Sequence, residues 1–292
     1  MCFRFPRSRW SVASGQCSVT LLFALIVFAL SASCARLSEA RHARQAGHSV
    51  RARKLRVCAD PNNLPFSNER LEGFENKIAD LVARELNADV EYTWWAQRRG
   101  FMCNTLKAGA CDVVMGLPRN FEMAQTTAPY YRSTYVFVYR RNGGVKIDSF
   151  DDPLLRKLKV GVQVIGDDGA NAPPAHALSN RGIVGNVSGY PVYGDYAEES
   201  PPARIINAVA SGDIDVAIAW GPLAGYFAKR QSVPLEIVAV SPRSDPSLPF
   251  TYDISLGIRR GESSFKEELE HALERRHGEI QKILDDYGVP RA

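Results

Sequence analysis

The spacing of apolar positions predicts alternating strands and helices from residue 55 onwards. Residues 55–59 form an apolar run typical of a buried strand, and residues 75–86 then place apolar side chains at helical spacing. A second strand is predicted at 90–95, a second helix at 99–107 and a third strand at 112–116. Strands that alternate with helices in this way are typical of a parallel, doubly wound sheet.

A second alternating set follows a long apolar strand predicted at 133–140, after which Asn142-Gly143-Gly144 interrupts the pattern. Its predicted strands lie at 159–164, 187–193, 214–220, 235–240 and 252–259, and its predicted helices at 174–180, 202–210 and 263–287. The sequence therefore predicts two α/β halves joined by two extended crossings, with the last helix returning to the first half.

This arrangement resembles the periplasmic binding proteins of type II, which have two α/β lobes joined by two crossing strands. The segment LRVCADPNNLPFSN at 55–68 and the strand that follows Ala128-Pro129-Tyr130-Tyr131 carry this resemblance. Lobe 1 is predicted to comprise 55–133 and 256–292, and lobe 2 to comprise 134–255. The hinge strands are expected near 134–140 and 252–258. Ligands of such sheets bind beyond the carboxyl ends of the strands, which here face the cleft between the lobes.

The first 54 residues have a different character. Arg4, Arg7 and Arg9 precede a short apolar run and then small residues, the layout of a secretory signal peptide, which we place at 1–35. Residues 36–54 are basic and aperiodic, as expected of a flexible tail. We therefore expect export to the periplasm, with no membrane span after the signal is cleaved.

The formal charge of +4 is concentrated in this leader and tail. Nine of the 36 Lys and Arg residues, but one of the 32 acidic residues, precede Leu55, so residues 55–292 carry a formal charge of −4. A folded part of that sign is a poor nucleic-acid binder. Beyond the leader the chain has three cysteines, Cys58, Cys103 and Cys111, which would give one disulfide and one thiol in an oxidising compartment.

The predicted cleft lacks the charges that hold a free amino acid in proteins of this type. Asn120 falls where an Arg would grip the carboxylate, and Trp220 falls where an Asp would take the ammonium group. Asp167 and Asp168 occupy a helix start that commonly holds an anion, and they either cap that helix or repel an anionic ligand. The residues that we expect to line the cleft are Asp60, Asn62, Asn63, Phe66, Asn120, Tyr130, Asp167, Asp168 and Trp220.

Aromatic and Arg side chains are concentrated in two nearby segments. Alternation along the strand places Trp94 and Trp95 on opposite faces, so one of them is expected in the core. The cluster could line the cleft or form a protein interface, because Trp, Tyr and Arg dominate interface hot spots. As candidates for partner binding we take Trp94, Trp95, Arg98, Arg99, Tyr131 and Arg132.

Signals for catalysis are absent from the sequence. It contains no G-x-S-x-G, P-loop, H-E-x-x-H or EF-hand spacing, and its five His residues are scattered. No group of Cys and His has the spacing of metal ligands. We therefore expect neither catalytic residues nor a bound metal.

Six blocks carry a closer resemblance. They are LRVCADPNNLPFSN at 55–68, GFENKI at 73–78, YTWWAQRRGFMCN at 92–104, TTAPYYRSTYVFV at 126–138, YPVYGD at 190–195 and AWGPLAGYF at 219–227. Together they closely resemble the MoxJ/XoxJ family, binding-protein-like proteins encoded with PQQ-dependent methanol dehydrogenases.

This resemblance implies a periplasmic accessory protein that binds, matures or activates the dehydrogenase. The dehydrogenase would carry PQQ and calcium or a lanthanide and pass electrons to a c-type cytochrome, whereas the accessory itself would bind no cofactor tightly. The resemblance also implies a disulfide between Cys58 and Cys111.

Two functions from different classes follow. The leading hypothesis is the non-catalytic accessory of a PQQ-dependent methanol or alcohol dehydrogenase. The alternative is an ABC-transporter solute-binding protein for a small neutral or aromatic ligand, for which Trp220, Tyr130 and the Asn62/Asn63 pair could line the pocket. An enzyme on this fold ranks third, because no base and nucleophile stand together.

Overall fold

A computed structural model describes residues 53–165, 170–192, 196–242, 244–245 and 248–292. The predicted signal peptide, the tail up to residue 52, and Asp167 and Asp168 lie outside these ranges. The end of the tail was predicted wrongly, since Arg53 and Lys54 already belong to the first strand. As predicted, the described strands form two α/β groups joined by two crossing strands.

The first half of the chain builds a small parallel sheet covered by helices. In chain order, its elements are β1 (Arg53–Ala59), β2 (Asn62–Asn63), β3 (Ser67–Asn68), α1 (Phe74–Glu85), β4 (Ala88–Trp94), α2 (Phe101–Asn104), β5 (Val113–Pro118) and β6 (Gln125–Thr126). Strand β1 lies between β4 and β5 and pairs in parallel with both. Helix α1 forms because Phe74, Ile78 and Val82 recur on one face and are buried against this sheet.

The second half of the chain builds another parallel group of strands with helices, and its last two helices return to pack on the first sheet. Its elements are β7 (Tyr131–Arg140), a 3₁₀ turn (Pro153–Arg156), β8 (Val160–Ile165), β9 (Ala170–Asn171), α3 (Pro173–Asn180), β10 (Val187–Pro191), a 3₁₀ turn (Pro201–Ala203), α4 (Arg204–Ser211), β11 (Val216–Trp220), α5 (Gly221–Ala228), β12 (Leu235–Ala239), β13 (Ser244–Asp245), β14 (Leu248–Pro249), β15 (Thr251–Ile258), α6 (Ser263–Arg275) and α7 (His277–Asp286). Strand β8 pairs in parallel with β10 and β11.

Strands β7 and β15 connect the two halves into one sheet of order β10-β8-β11-β7-β15-β5-β1-β4. The first residues of β7 pair with the start of β15, from Tyr131↔Ile254 to Thr134↔Thr251. From Tyr135 onwards β7 pairs instead with β11 and β12. The change of partner between Thr134 and Tyr135 lies where the sequence predicts a hinge strand; the predicted lobe boundaries themselves stay a prediction.

The apolar side chains separate into cores on either side of this change. Phe74, Ile78 and Leu256 belong to the core between β1, β5, α1, α6 and α7. Phe137 and Ile218 belong to a core of the second half. Each half thus has buried apolar residues enough to hold its own sheet and helices together.

Three helical segments differ from the prediction. Helix α2 is one turn long instead of spanning 99–107, since the Thr105 hydroxyl donates to the Phe101 carbonyl (2.6 Å) and the chain turns after it. Helix α5 was not predicted, because its residues 221–227 are all buried and leave no amphipathic pattern. The predicted helix 263–287 is divided into α6 and α7 at Arg276.

A disulfide joins Cys58 of β1 to Cys111, as the family resemblance implied. Strand register pairs Cys58 with Val114, three residues further on, so the chain before β5 must bend towards β1. The bend is held by the Asp112 amide, which donates to the Arg56 carbonyl (2.8 Å). Both cysteines are buried, among Phe101, Leu106 and other apolar side chains.

We expect loss of this bridge to destabilise lobe 1. The bridge spans 53 residues, so the double variant Cys58→Ser/Cys111→Ser should lose roughly 2–4 kcal/mol of unfolding free energy, because its unfolded chain is less restricted. Urea unfolding measures the loss. A reducing agent should lower the stability of the wild type and leave the double variant unchanged; equal effects on both would contradict the prediction.

Candidate functional site

A cavity of about 1050 Å³ lies at the carboxyl ends of the strands of both halves. The first half contributes the segments that follow β1, β4 and β5, and the second half contributes the ends of β8, β10 and β11. The crossing strands β7 and β15 contribute Tyr131, Tyr135, Tyr252 and Ile254 to its wall. This is the position in which open α/β sheets bind their ligands.

The floor of the cavity is formed by lobe 1. The turn after β1 places Asn63 and Phe66 there, and β5 places Gly116 beside them. Gly116 adopts a left-handed φ of +72°, and a Cβ atom at this position would overlap Oε1 of Glu75. A glycine at 116 therefore leaves the space that the Glu75 carboxyl group occupies.

Glu75 is the most unusual side chain of this floor. The residue is 9% exposed and lines the cavity, yet its carboxyl group makes no hydrogen bond or ion pair with any described residue. Burial raises the pKa of Glu75 to about 8, and no neighbouring positive charge offsets that burial. At pH 7 the carboxyl group is thus mostly protonated.

Aromatic side chains form the opposite wall. Trp220, at the end of β11, packs edge-on against Tyr135 and Tyr252, with ring centroids 5.3 and 5.8 Å apart. The backbone amide of Trp220 donates to Oε1 of the buried Gln163 (2.6 Å). This bond fixes the start of α5 at the cavity, so the Trp220 ring is held in the cavity wall.

The rim of the cavity is basic and partly apolar. Trp95 is 44% exposed, and the exposed Arg98 and Arg99 follow it and line the cavity mouth. The Arg98 guanidinium lies over the Tyr196 ring, 5.2 Å from its centroid. We call Trp95, Arg98 and Arg99 the rim cluster.

Asp60 connects the rim to the second half of the chain. Its buried carboxylate accepts hydrogen bonds from the backbone amides of Asn62 (2.8 Å) and Gln97 (2.6 Å) and from the Tyr196 hydroxyl (2.8 Å). Burial, and then the bond to Asp60, raise the pKa of Tyr196. Three protein donors already bind its oxygens, so the Asp60 carboxylate holds these segments together and is not available to a ligand.

The structure brings only part of the predicted set of cleft residues to the cavity. Asn63, Phe66 and Trp220 line it, and so do Arg98, Arg99 and Tyr131 from the set predicted to bind a partner. Tyr131, which was predicted to bind a partner, is buried at the cavity wall and does not belong to the outer surface. Tyr130 is buried in the core of lobe 1, because its ring packs edge-on against that of Tyr131.

The other predicted residues lie away from the cavity lining. Asn62 donates its side-chain amide to the Glu198 carbonyl (2.6 Å), and Asn120 is an exposed turn residue with φ +63°. Trp94 stacks on Tyr92 at 4.6 Å, partly buried on the outer strand of the sheet. Arg132 is exposed and pairs with Asp253 across β7 and β15 (3.5 Å).

Sequence reasoning missed Glu75 and Gln163. Glu75 stands at the i, i+3 and i+7 spacing with Ile78 and Val82, so it belongs to the apolar face of α1. A carboxyl group on the buried face of a helix was the available signal. For Gln163, the available signal was weaker: it is a polar residue within the otherwise apolar strand β8.

The comparison with known families decides the identity of the fold. The family described as bacterial extracellular solute-binding proteins, family 3, matches residues 55–290. The chain belongs to this family. Protein MoxJ of Methylorubrum extorquens is 30% identical in an alignment of 291 residues, and the match covers 94% of this chain and 94% of that one.

Solved structures agree with this family membership. The periplasmic binding protein XoxJ from Methylobacterium extorquens AM1 is 36% identical, with a TM-score of 0.67 over 82% of this chain and 99% of that one. MxaJ from Methlophaga aminisulfidivorans MPT is 25% identical, with a TM-score of 0.68 over 82% of this chain and 100% of that one. The predicted MoxJ/XoxJ type of this family 3 protein is thereby confirmed.

Among the described residues of this family 3 protein, no helix has the length and apolar character to cross a membrane. Within the same ranges, no three His, Cys, Asp or Glu side chains are grouped so as to hold a metal ion. Glu75 is the one acidic residue among the described residues that line the cavity.

We expect Glu75 to make stability depend on pH. Its folded pKa of about 8 lies above the ordinary 4.5, so the folded state holds a proton that the unfolded state releases, and stability falls as pH rises from 4.5 to 8. Glu75→Gln should remove this slope and unfold with about 2–4 kcal/mol more free energy than the wild type at pH 8. Urea unfolding at pH 5, 6.5 and 8 measures it, with the exposed Glu69→Gln as control. A wild-type slope that persists in Glu75→Gln would contradict this assignment.

We expect the Tyr196 hydroxyl to stabilise the fold through Asp60. Tyr196→Phe should cost roughly 1–2 kcal/mol, because a buried carboxylate loses one of three donors. Tyr190→Phe is the matched control, since the half-buried Tyr190 hydroxyl makes no hydrogen bond with a described residue. Equal losses for the two variants, measured by thermal unfolding, would count against the bond.

Proposed function

We propose that this protein is a non-catalytic periplasmic accessory that binds a PQQ-dependent methanol or alcohol dehydrogenase and serves its maturation or activation. The observation that carries the proposal is Trp220, whose ring lies in the cavity wall, at the position where the sequence leads us to expect the ammonium-binding Asp of an amino-acid receptor. A receptor frame without that anchor is poorly suited to amino-acid capture. The resemblance to the MoxJ/XoxJ family supplies the dehydrogenase as partner.

The rim cluster supports a surface for this partner. Trp95 exposes 44% of its area, which is unusual for so large an apolar side chain, and two exposed Arg side chains adjoin it. Trp and Arg are the residue types that most often carry binding energy at protein interfaces. The rim cluster is thus the part of the described surface at which we place the dehydrogenase.

The compartment and the cofactors follow from the same proposal. The leader at 1–35 would direct the chain to the periplasm, where a disulfide such as Cys58–Cys111 persists. PQQ and calcium or a lanthanide would reside in the dehydrogenase, with a c-type cytochrome as a further partner. The accessory would hold none of them tightly.

An ABC-transporter solute-binding protein for a neutral or aromatic ligand is the second candidate. The cavity of about 1050 Å³ favours it, because aromatic walls of this size suit a small apolar molecule. In that function the cavity would be occupied by a transported solute and the rim cluster would contact a permease.

The rim cluster gives a direct test of the accessory role. The mature protein should bind the purified dehydrogenase in surface plasmon resonance, and Trp95→Ala and Arg98→Ala should each weaken binding roughly tenfold or more. Val184→Ala, which removes another exposed apolar side chain (62% exposed) from lobe 2, should leave binding unchanged.

Two outcomes contradict the proposal at different levels. No binding by the wild type would contradict the accessory role itself. Binding that the two rim variants and Val184→Ala all leave intact would contradict the placement of the interface at the rim cluster.

A further inference from the structure

Two acceptor groups on the floor of the cavity have no donor among the described residues. The Glu75 carboxyl group makes no hydrogen bond with a described residue, although the residue is buried and lines the cavity. Oδ1 of Asn63, on the same floor, is also buried without a described donor. The Asn63 amide nitrogen donates to Oε1 of Gln97 (3.2 Å), so its orientation is fixed by a protein partner. Buried acceptors normally meet a donor.

The surroundings of these acceptors favour an organic donor over a metal ion. Hard cations such as calcium take six to eight oxygen ligands, whereas Glu75 is the one acidic residue among the described residues that line the cavity. Phe66 and Tyr131 line the floor with it, and Trp220, Tyr135 and Tyr252 line the facing wall. Aromatic faces attract organic cations and also bury an apolar body.

We propose that Glu75 and Asn63 form a binding site for an organic cation that carries a primary ammonium group on an apolar, aryl or alkyl body. The ammonium N–H groups donate to the Glu75 carboxylate and to Oδ1 of Asn63, while the body packs between the aromatic walls. The site is independent of the accessory role, because it uses the cavity floor and not the rim cluster.

Binding of such a cation requires Glu75 to ionise. The proton leaves the carboxyl group for solvent, and the ammonium group replaces it as the partner of the carboxylate. The titratable groups that face Glu75 from packed elements are Tyr92 of β4, whose pKa burial raises to about 12, and Tyr130 and Tyr131, whose pKa values burial raises well above 10. Arg98 and Arg99 belong to the same cavity but to its exposed rim. Of Glu75 and these three tyrosines, Glu75 alone titrates between pH 6 and 8.

Calorimetry with a charge series tests the proposal. Phenethylammonium should bind the mature wild type, phenethyl alcohol and phenylpropanoate should bind at least tenfold more weakly at pH 8, and the N-trimethylated cation should bind several-fold more weakly because it has no N–H donor. Affinity for phenethylammonium should rise about tenfold from pH 6 to 7. Titrations at pH 6.5 in phosphate and in imidazole should show release of about one proton.

Variants connect the binding to the two residues. Glu75→Gln should weaken phenethylammonium binding at least tenfold and abolish its pH dependence, whereas Glu69→Gln should match the wild type. The wild-type pH series and proton release decide the question even where Glu75→Gln fails to fold. The proposal is overturned by an alcohol that binds as tightly as the ammonium ion, by the absence of proton release, or by a lanthanum salt that competes for the site.

Discussion

The pairing of β7 with β15 is the constraint on which the rest of this structure depends. Both strands cross between the halves, and four residues of each, 131–134 and 251–254, pair with one another before β7 continues beside β11 and β12 and β15 continues beside β5. The same short stretch supplies Tyr131, Tyr252 and Ile254 to the cavity. The backbone that joins the lobes is therefore also a wall of the cleft, and each lobe has its own core on which that wall can rest.

The cleft combines a frame made for small molecules with an unusual set of charges. Asp60 has its oxygens occupied by three protein donors, and Trp220 presents a ring where an anchor for an amino group would stand. Glu75 alone adds a carboxyl group, and burial keeps it mostly neutral until a donor arrives. The charge of the Glu75 carboxyl group thus depends on whether a donor is bound, whereas the rim cluster contributes two Arg side chains at the mouth of the cavity.

The fold was accessible from the sequence because it follows from periodicity, whereas the site depends on contacts between distant segments. Helix α1 and the strands of both halves agree with the predicted pattern to within a few residues. Helix α5 was not predicted, because a helix that is buried on all sides has no periodic pattern of apolar and polar residues. Tyr130 was predicted in the cleft and Tyr131 at a partner surface, whereas Tyr131 lines the cavity and Tyr130 lies in the core. Adjacent residues of a strand face opposite ways, and nothing local says which of them faces the cleft. Asp60 bonds Tyr196, 136 residues away, and no local pattern encodes that contact.

The disulfide has a consequence for the history of each molecule. The loop closed by Cys58 and Cys111 comprises residues 58–111, from the end of β1 to the segment before β5. It includes Glu75, Asn63, Phe66 and the whole rim cluster. In a reducing compartment this loop has no covalent closure, and in an oxidising one it does. The segment that builds both the cavity floor and the rim is therefore closed by a covalent bond only after the chain has met oxidising conditions.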